Sequence, residues 1–340
     1  VKRIKSYQNK IFPKTSFYKD KQGIKLGCIW SALSSCGLYV PGGKALYPSS
    51  VLMNAVPAQI AGVKRIVVVT PVLDKKISPE ILVACKASGV TEIYKVGGVQ
   101  AVAALAYGTK SIKKVDKIVG PGNAYVAEAK KQVYGQVGID SIAGPSEVLI
   151  IADSTCNAKW IAIDLISQAE HDEEARAILI TDNSKLINEV KYYLGFFINR
   201  ISRSKIAKKS LLNNGLAILI DNIDESYKIA NFLAPEHLEI MSKNKKKLFK
   251  KITNAGAIFL GNYTPEALGD YVAGPSHVLP TSGNARFESG LSVIDFLKRT
   301  SYIEANKNGL NKVAKAIQIL GESEGLDAHV KSALIRFSKD

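Results

Sequence analysis

The chain has 340 residues, 46% of them hydrophobic and 22% charged, with 46 Lys and Arg against 30 Asp and Glu for a net charge of +16. This composition excludes a disordered chain and is large enough for two domains with a sizeable core. No run approaches the ~20 apolar residues of a membrane helix, and the opening Val1-Lys2-Arg3-Ile4-Lys5 does not read as a signal peptide.

Along the chain, strand and helix alternate with short turns. Gly37-Leu38-Tyr39-Val40 predicts a strand, Pro41-Gly42-Gly43 a turn and Ser49 to Ala61 a helix. Arg65 to Thr70 (RIVVVT) reads as a buried strand, with a helix after Pro79. Glu92 to Val96 is a strand, Gly97-Gly98 a turn, and a helix runs on through Ala106. Lys117 to Val119, Gly120-Pro121-Gly122 and a helix through Val133 repeat the pattern, and Val148 to Ala152 (VLIIA) is another buried strand. A second set follows: helix Ala158 to Ala169, strand Ala177 to Ile180, helix Lys185 to Tyr193, strand Leu216 to Ile220 and a helix through Phe232. Strands Glu239 to Met241 and Ala257 to Leu260 complete it. From Val293 onward the pattern is mainly helical, with Leu310, Val313, Ile317 and Leu320 at helical spacing.

Apolar strands separated by helices predict parallel, doubly wound sheets. The expected fold is α/β, two Rossmann-like lobes with a helical tail, and ligands are expected beyond the carboxyl ends of the strands. Cys28, Cys36, Cys85 and Cys156 form no CxxC pair and read as reduced thiols of a cytoplasmic protein. The densest lysine run, Lys243 to Lys251, falls on a predicted amphipathic helix with Leu248, Phe249 and Ile252 on its apolar side. No nucleic-acid-binding motif accompanies the charge, which therefore reads as a solvated surface; charge alone supplies only non-specific affinity.

Two groups of residues carry chemistry. The turns "VPGG", "VGGVQA" and "GPGNAY" each follow a strand and open a helix, which exposes helix N-terminal amides to an anion. None is a GxGxxG fingerprint. Tight connections need glycine in any case, but three such turns at equivalent strand ends point to a nucleotide-sized ligand. The four histidines each have polar company. His171 follows Gln168 and Glu170, His237 follows Glu236, His277 lies seven residues after Asp270, and His329 follows Glu324 and Asp327. Gln168 and His171 project from one face if the helix continues through them. His and Asp with an amide oxygen suit zinc or a similar divalent ion. Glu236-His237 supplies two candidate general bases at one loop.

Taken together, "GLYVPGG", "VGGVQAVAALAYGT", "VDKIVGPGNAYVAEAKKQV", "AGPSEVLIIAD", "SQAEH", "APEHLEI" and "GDYVAGPSHVLPTSG" resemble histidinol dehydrogenase in order and spacing over nearly the whole chain. The resemblance implies an oxidoreductase acting on CH-OH, which converts L-histidinol to L-histidine through bound L-histidinal with two NAD+, the last step of histidine biosynthesis. It implies one Zn2+ per chain held by Gln168, His171, Asp270 and His329, the metal binding and orienting the substrate. It makes Glu236 and His237 the catalytic bases: His237 for the alcohol proton, Glu236 for the water that attacks the aldehyde. Ser146, His277 and Glu324 join Gln168, His171, His237, Asp270 and His329 around the substrate, and Tyr39, Gln100 and Asn123 match NAD contacts.

The implied organisation is a remnant of an N-terminal segment at 1–37, an NAD-binding lobe at 38–143, a zinc and substrate lobe at 144–291, and a helical dimerisation tail at 292–340. The implied partners are L-histidinol and a second copy sharing the active site, with no nucleic acid and no membrane. Family members carry a sizeable segment ahead of the stretch that begins at Val1 here. The alternative expectation is accordingly a truncated, non-catalytic relative.

Overall fold

In the computed structural model, which describes residues 1–42, 47–72 and 76–338, the chain opens with helix α1 (Lys2–Lys10) and the strands β1 (Ser16–Lys19) and β2 (Lys25–Ala32). The first α/β lobe follows: β3 (Ser35–Tyr39), α2 (Pro48–Ala61), β4 (Arg65–Val69), α3 (Pro79–Ser88), β5 (Glu92–Tyr94), α4 (Gly98–Tyr107), β6 (Lys117–Val119), α5 (Ala124–Val133) and β7 (Gly138–Ile139). Gly43, the last residue of the expected Pro41-Gly42-Gly43 turn, lies outside the described residues. All neighbours in this sheet are parallel, in the order β5-β4-β3-β6-β7. The reason is in the sequence: β3 and β4 are almost wholly buried, as suits strands covered by helices on both faces.

The second lobe repeats the plan. It comprises β8 (Glu147–Ile151), α6 (Ala158–Ala169), β9 (Arg176–Thr181), α7 (Ser184–Ile198), α8 (Ser204–Asn214), β10 (Gly215–Leu219), α9 (Ser226–Leu233), β11 (His237–Ile240), α10 (Lys245–Phe249), β12 (Ala257–Leu260) and α11 (Glu266–Tyr271). Its strands are again all parallel, in the order β10-β9-β8-β11-β12. Counted within each lobe, both sheets have the doubly wound order 3-2-1-4-5. Leu149, Ile150 and Ile151 of β8 are fully buried and anchor the core between the helix layers.

The chain forms two compact units, and both α/β lobes belong to the larger one, Val1–Ile11 with Leu33–Phe296. The smaller unit joins Phe12–Ala32 to the chain from Leu297 onward. The chain from Val293 is mainly helical, as expected, with α12 (Lys307–Ser323) and α13 (Asp327–Leu334), but the strand β13 (Leu297–Glu304) precedes them. β13 pairs antiparallel along all eight residues with β2, which itself pairs with β1. Leu310, Val313, Ile317 and Leu320, expected at helical spacing, do lie on α12. Among the described residues no helix is long and apolar enough to cross a membrane. All four cysteines are free. Burial pushes Cys36 up to about 12, and Cys85 and Cys156 up to about 11, so these three stay protonated.

Candidate active site and metal centre

The site grows from four elements of the second lobe. β11 begins at His237, whose neighbours across the sheet are Val148 of β8 and Ala257 of β12. Glu147 is the first residue of β8, Gln168 stands in the last turn of α6 with His171 just beyond, and α11 carries Glu266 and Asp270 four residues apart. These are the amino ends of the parallel strands. The expectation of ligand chemistry at carboxyl ends therefore needs correction for this lobe. The helices that precede and follow the strands, α6 and α11, bring the polar groups to that end, so the strand termini supply only part of the site.

His237 is buried, at 4% exposure, among carboxylates. Its Nδ1–H donates to the Glu147 carbonyl at 3.0 Å. Glu236 Oε2 and Glu266 Oε1 each lie 3.7 Å from Nδ1, and Asp270 Oδ1 lies 3.7 Å from Nε2. Nε2 has no hydrogen-bond partner among the described residues. Burial pulls the imidazole down, but Glu266, Glu236 and Asp270 outweigh it and hold the ring well above its ordinary value. Glu236 accepts from the Glu147 N–H at 2.9 Å, and burial pushes its carboxyl up to about 7. Burial raises Glu266 to about 8. Asp270 resists burial because His237 compensates it, and it stays below the usual carboxylate range.

His171, Glu266 and Asp270 place one ligand atom each within 4.8 Å of one another. His171 is held below its ordinary value by burial, so its imidazole is neutral and able to donate a lone pair. A neutral imidazole and two carboxylates form a donor set that fits a divalent cation with nitrogen and oxygen preference. Gln168 is fully buried beside them. With its amide nitrogen turned inward it donates to Glu266 Oε1 at 3.0 Å and to the Glu147 carbonyl at 3.2 Å. His277 links the two lobes: its Nδ1–H donates to the Asp270 carbonyl at 3.0 Å, and its Nε2 lies 3.3 Å from Ser50 Oγ at the start of α2. A cavity of about 460 Å³ opens onto His237 and Asp270, walled by Phe259, Leu268 and Leu279.

Among the residues expected at the site, His171, Gln168, Glu236, His237, Asp270 and His277 thus gather in one region. Ser146 immediately precedes β8, and its carbonyl accepts from Arg176 N. Glu324 closes α12 and His329 lies on α13, both exposed, in the smaller unit. In the first lobe the expected dinucleotide residues lie at carboxyl strand ends. Tyr39 ends β3 and is buried, its hydroxyl accepting the Gly98 N–H at 2.9 Å. Gln100 is exposed in the first turn of α4, and Asn123 caps α5 by accepting from Val126 N at 3.1 Å.

Two acidic residues went unnoticed in the sequence. Glu266 had a signal: it follows Pro265 and stands four residues before Asp270, one helical face. Glu147, an acid leading the apolar run VLII, had a weaker one.

Comparison with known proteins matches residues 1–337 to the family model described as histidinol dehydrogenase. Histidinol dehydrogenase 1 of Nostoc sp. is 54% identical over 336 residues, 99% of this chain and 78% of the relative. Histidinol dehydrogenase of Nitrobacter winogradskyi is 53% identical with the same coverage. The crystal structure of histidinol dehydrogenase from Elizabethkingia anophelis superposes with a TM-score of 0.96 at 37% identity, covering 99% of this chain and 78% of that one.

Proposed function

The chain belongs to the histidinol dehydrogenase family, and from that premise we propose that it oxidises L-histidinol to L-histidine in two steps, with zinc and two NAD+. A zinc ion held at this site would bind and orient histidinol and would offset the carboxylate charge around His237, and NAD+ would supply the hydride acceptor. The observation that carries this reading is the adjacency of His171, Glu266 and Asp270 to the buried pair Glu236 and His237. His171, Asp270 and Gln168 would hold the metal, with His329 as the fourth ligand. The lobe at 144–291 serves metal and substrate, and the lobe at 38–143 takes NAD beside Tyr39, Gln100 and Asn123.

The proton steps follow from the chain's own groups. With a cation offsetting the carboxylates that otherwise keep it protonated, His237 would be neutral, and because Nδ1–H is engaged by the Glu147 carbonyl, Nε2 would be its basic nitrogen. It takes the alcohol proton as hydride leaves. Glu236, with a carboxyl that titrates near neutrality, removes a proton from the water that adds to the aldehyde. The second hydride and a proton then leave the hydrate, giving the carboxylate. Ser146, His277 and Glu324 complete the substrate's surroundings. Burial of the reacting groups keeps the aldehyde from bulk water between steps.

The second copy completes the assembly: His329 and Glu324 reach the site of a two-fold mate. NADH formation from protein, zinc, NAD+ and L-histidinol tests the whole proposal. Substrate-dependent NADH supports it. No turnover by folded, zinc-loaded protein would establish the non-catalytic alternative instead.

A further inference from the structure

A second polar cluster lies in the first lobe, away from every residue described above as metal- or substrate-binding. Lys130 in α5 and Asp140 just after β7 form an ion pair whose side chains are only 3% and 4% exposed. Charges so buried need close partners. Both partners turn out to grip one glycine. Gly120 N–H donates to Asp140 Oδ2 at 2.7 Å, and Lys130 Nζ donates to the Gly120 carbonyl at 3.0 Å. Lys130 also donates to Asp140 Oδ1, closing the triangle.

Gly120 directly follows β6 and opens the turn into α5. It has φ +106°, and a Cβ there would meet the Tyr39 carbonyl oxygen at 2.3 Å. No other residue fits that position. The backbone groups of such a turn have no regular secondary-structure partners, so side chains must satisfy them. Lys130, in the body of α5, ties the helix to its own entry turn. Asp140 ties that turn to the far edge of the sheet. At the other side of the turn, Asn123 caps α5 by accepting from Val126 N, and the Ala124 and Tyr125 amides have no intrahelical partner.

We infer that Lys130 and Asp140 are positioning residues for the cofactor, fixing the Gly120–Asn123 turn in the shape that presents the first amides of α5 to the dinucleotide. Both act through Gly120. The inference rests on the reading that the carboxyl ends of the first sheet take NAD.

The test uses the full chain, zinc-loaded, with Lys130→Met, Asp140→Asn and the double variant. Lys130→Met removes both lysine donors and is expected to raise the NAD KM and the directly titrated NAD Kd at least tenfold. The KM for histidinol is expected to move less than twofold, with zinc content unchanged. Asp140→Asn is expected to be milder, because its amide oxygen still accepts from Gly120 N. The double variant holds no unpaired buried charge, and so remains readable if a single variant fails to fold; it too is expected to bind NAD at least tenfold more weakly. A purely structural pair would lower the denaturation midpoint yet leave the NAD KM of the folded enzyme in place. Folded variants with an NAD KM within twofold of the parent overturn the inference alone. A parent chain that does not bind NAD overturns the cofactor reading and this inference with it.

Discussion

Glu239 Oε1 accepts the backbone N–H of Glu266 at 2.8 Å, so a strand residue caps the helix that carries Glu266 and Asp270. α11 has only six residues, and its own N-cap, Pro265, offers no side-chain acceptor. Glu239 is 1% exposed and interacts with Asp164 of α6, the helix that ends beside Gln168 and His171. The buried Glu239 and the half-buried Asp164 thus stand behind the site and join its two main helices.

That pair makes stability depend on pH. Burial pushes Asp164 up to about 7 and Glu239 up to about 9. Both folded values lie above the unfolded ones, so the folded state holds more protons. Stability is fully present below about pH 4 and falls as pH rises toward the raised folded values of the two carboxyls, which titrate together. The metal-free chain is expected to lose stability between pH 6 and 9, by about 1.4 kcal/mol per pH unit for each carboxyl still protonated in the folded state. Asp164→Asn should flatten that slope. Urea midpoints across this range are the measurement, and an unchanged slope in the variant rejects the assignment.

The metal cluster predicts a graded response. His171→Ala and Asp270→Ala are each expected to weaken zinc binding by more than about a hundredfold, and Glu266→Gln by about tenfold or more. Elemental analysis after dialysis against a weak chelator reads the stoichiometry directly. Full zinc in both alanine variants would remove the site from consideration.

The two bases are expected to separate by half-reaction. His237→Asn should slow alcohol oxidation by ~10²–10⁴-fold. Glu236→Gln should spare the first hydride transfer and slow the second half-reaction by a similar factor. Single-turnover measurements starting from histidinol and from histidinal distinguish them. If both variants are slow only from histidinol, this division of labour is wrong.

Sharing of the site between copies predicts complementation. Glu236→Gln and His329→Ala, each nearly inactive, are refolded together. In a mixed dimer one site collects both lesions and the other neither, so about a quarter of parental activity should return on symmetry grounds. A site built within one chain would recover nothing, provided exchange is verified by differential tagging.

What was legible in the sequence followed its apolar runs. RIVVVT and VLIIA announced β4 and β8 because strands buried on both faces need uninterrupted Val, Ile and Leu. β13 was illegible for the opposite reason. LKRTSYIE is largely exposed, and its partner β2 lies more than 260 residues earlier in the chain. The histidines were conspicuous because there are so few of them. Glu239 and Lys130 were not, since an acid within a strand and a lysine within a helix look like ordinary surface residues until the fold buries them. Spacing put Gln168 and His171 on one face and no more, whereas the position of Glu266 beside them depends on the packing of α11 near β11, which spacing along the chain does not encode.

The two five-stranded sheets share one strand order yet carry their candidate site residues at opposite ends, which leaves each with an end free of such residues. The Thr109–Ser111 turn before β6 and the exposed Asp221-Asn222 after β10 lie at those ends, on connections that carry none of the site residues. Such places suit grafted peptides, affinity handles or fluorescent reporters, because lengthening a surface loop adds only about 0.6 kcal/mol of closure entropy per doubling. About eight Gly and Ser residues inserted after Lys110 or Asp221 are expected to leave turnover within about twofold. The same insertion between Gly97 and Gly98, where Tyr39 holds the turn, should abolish it.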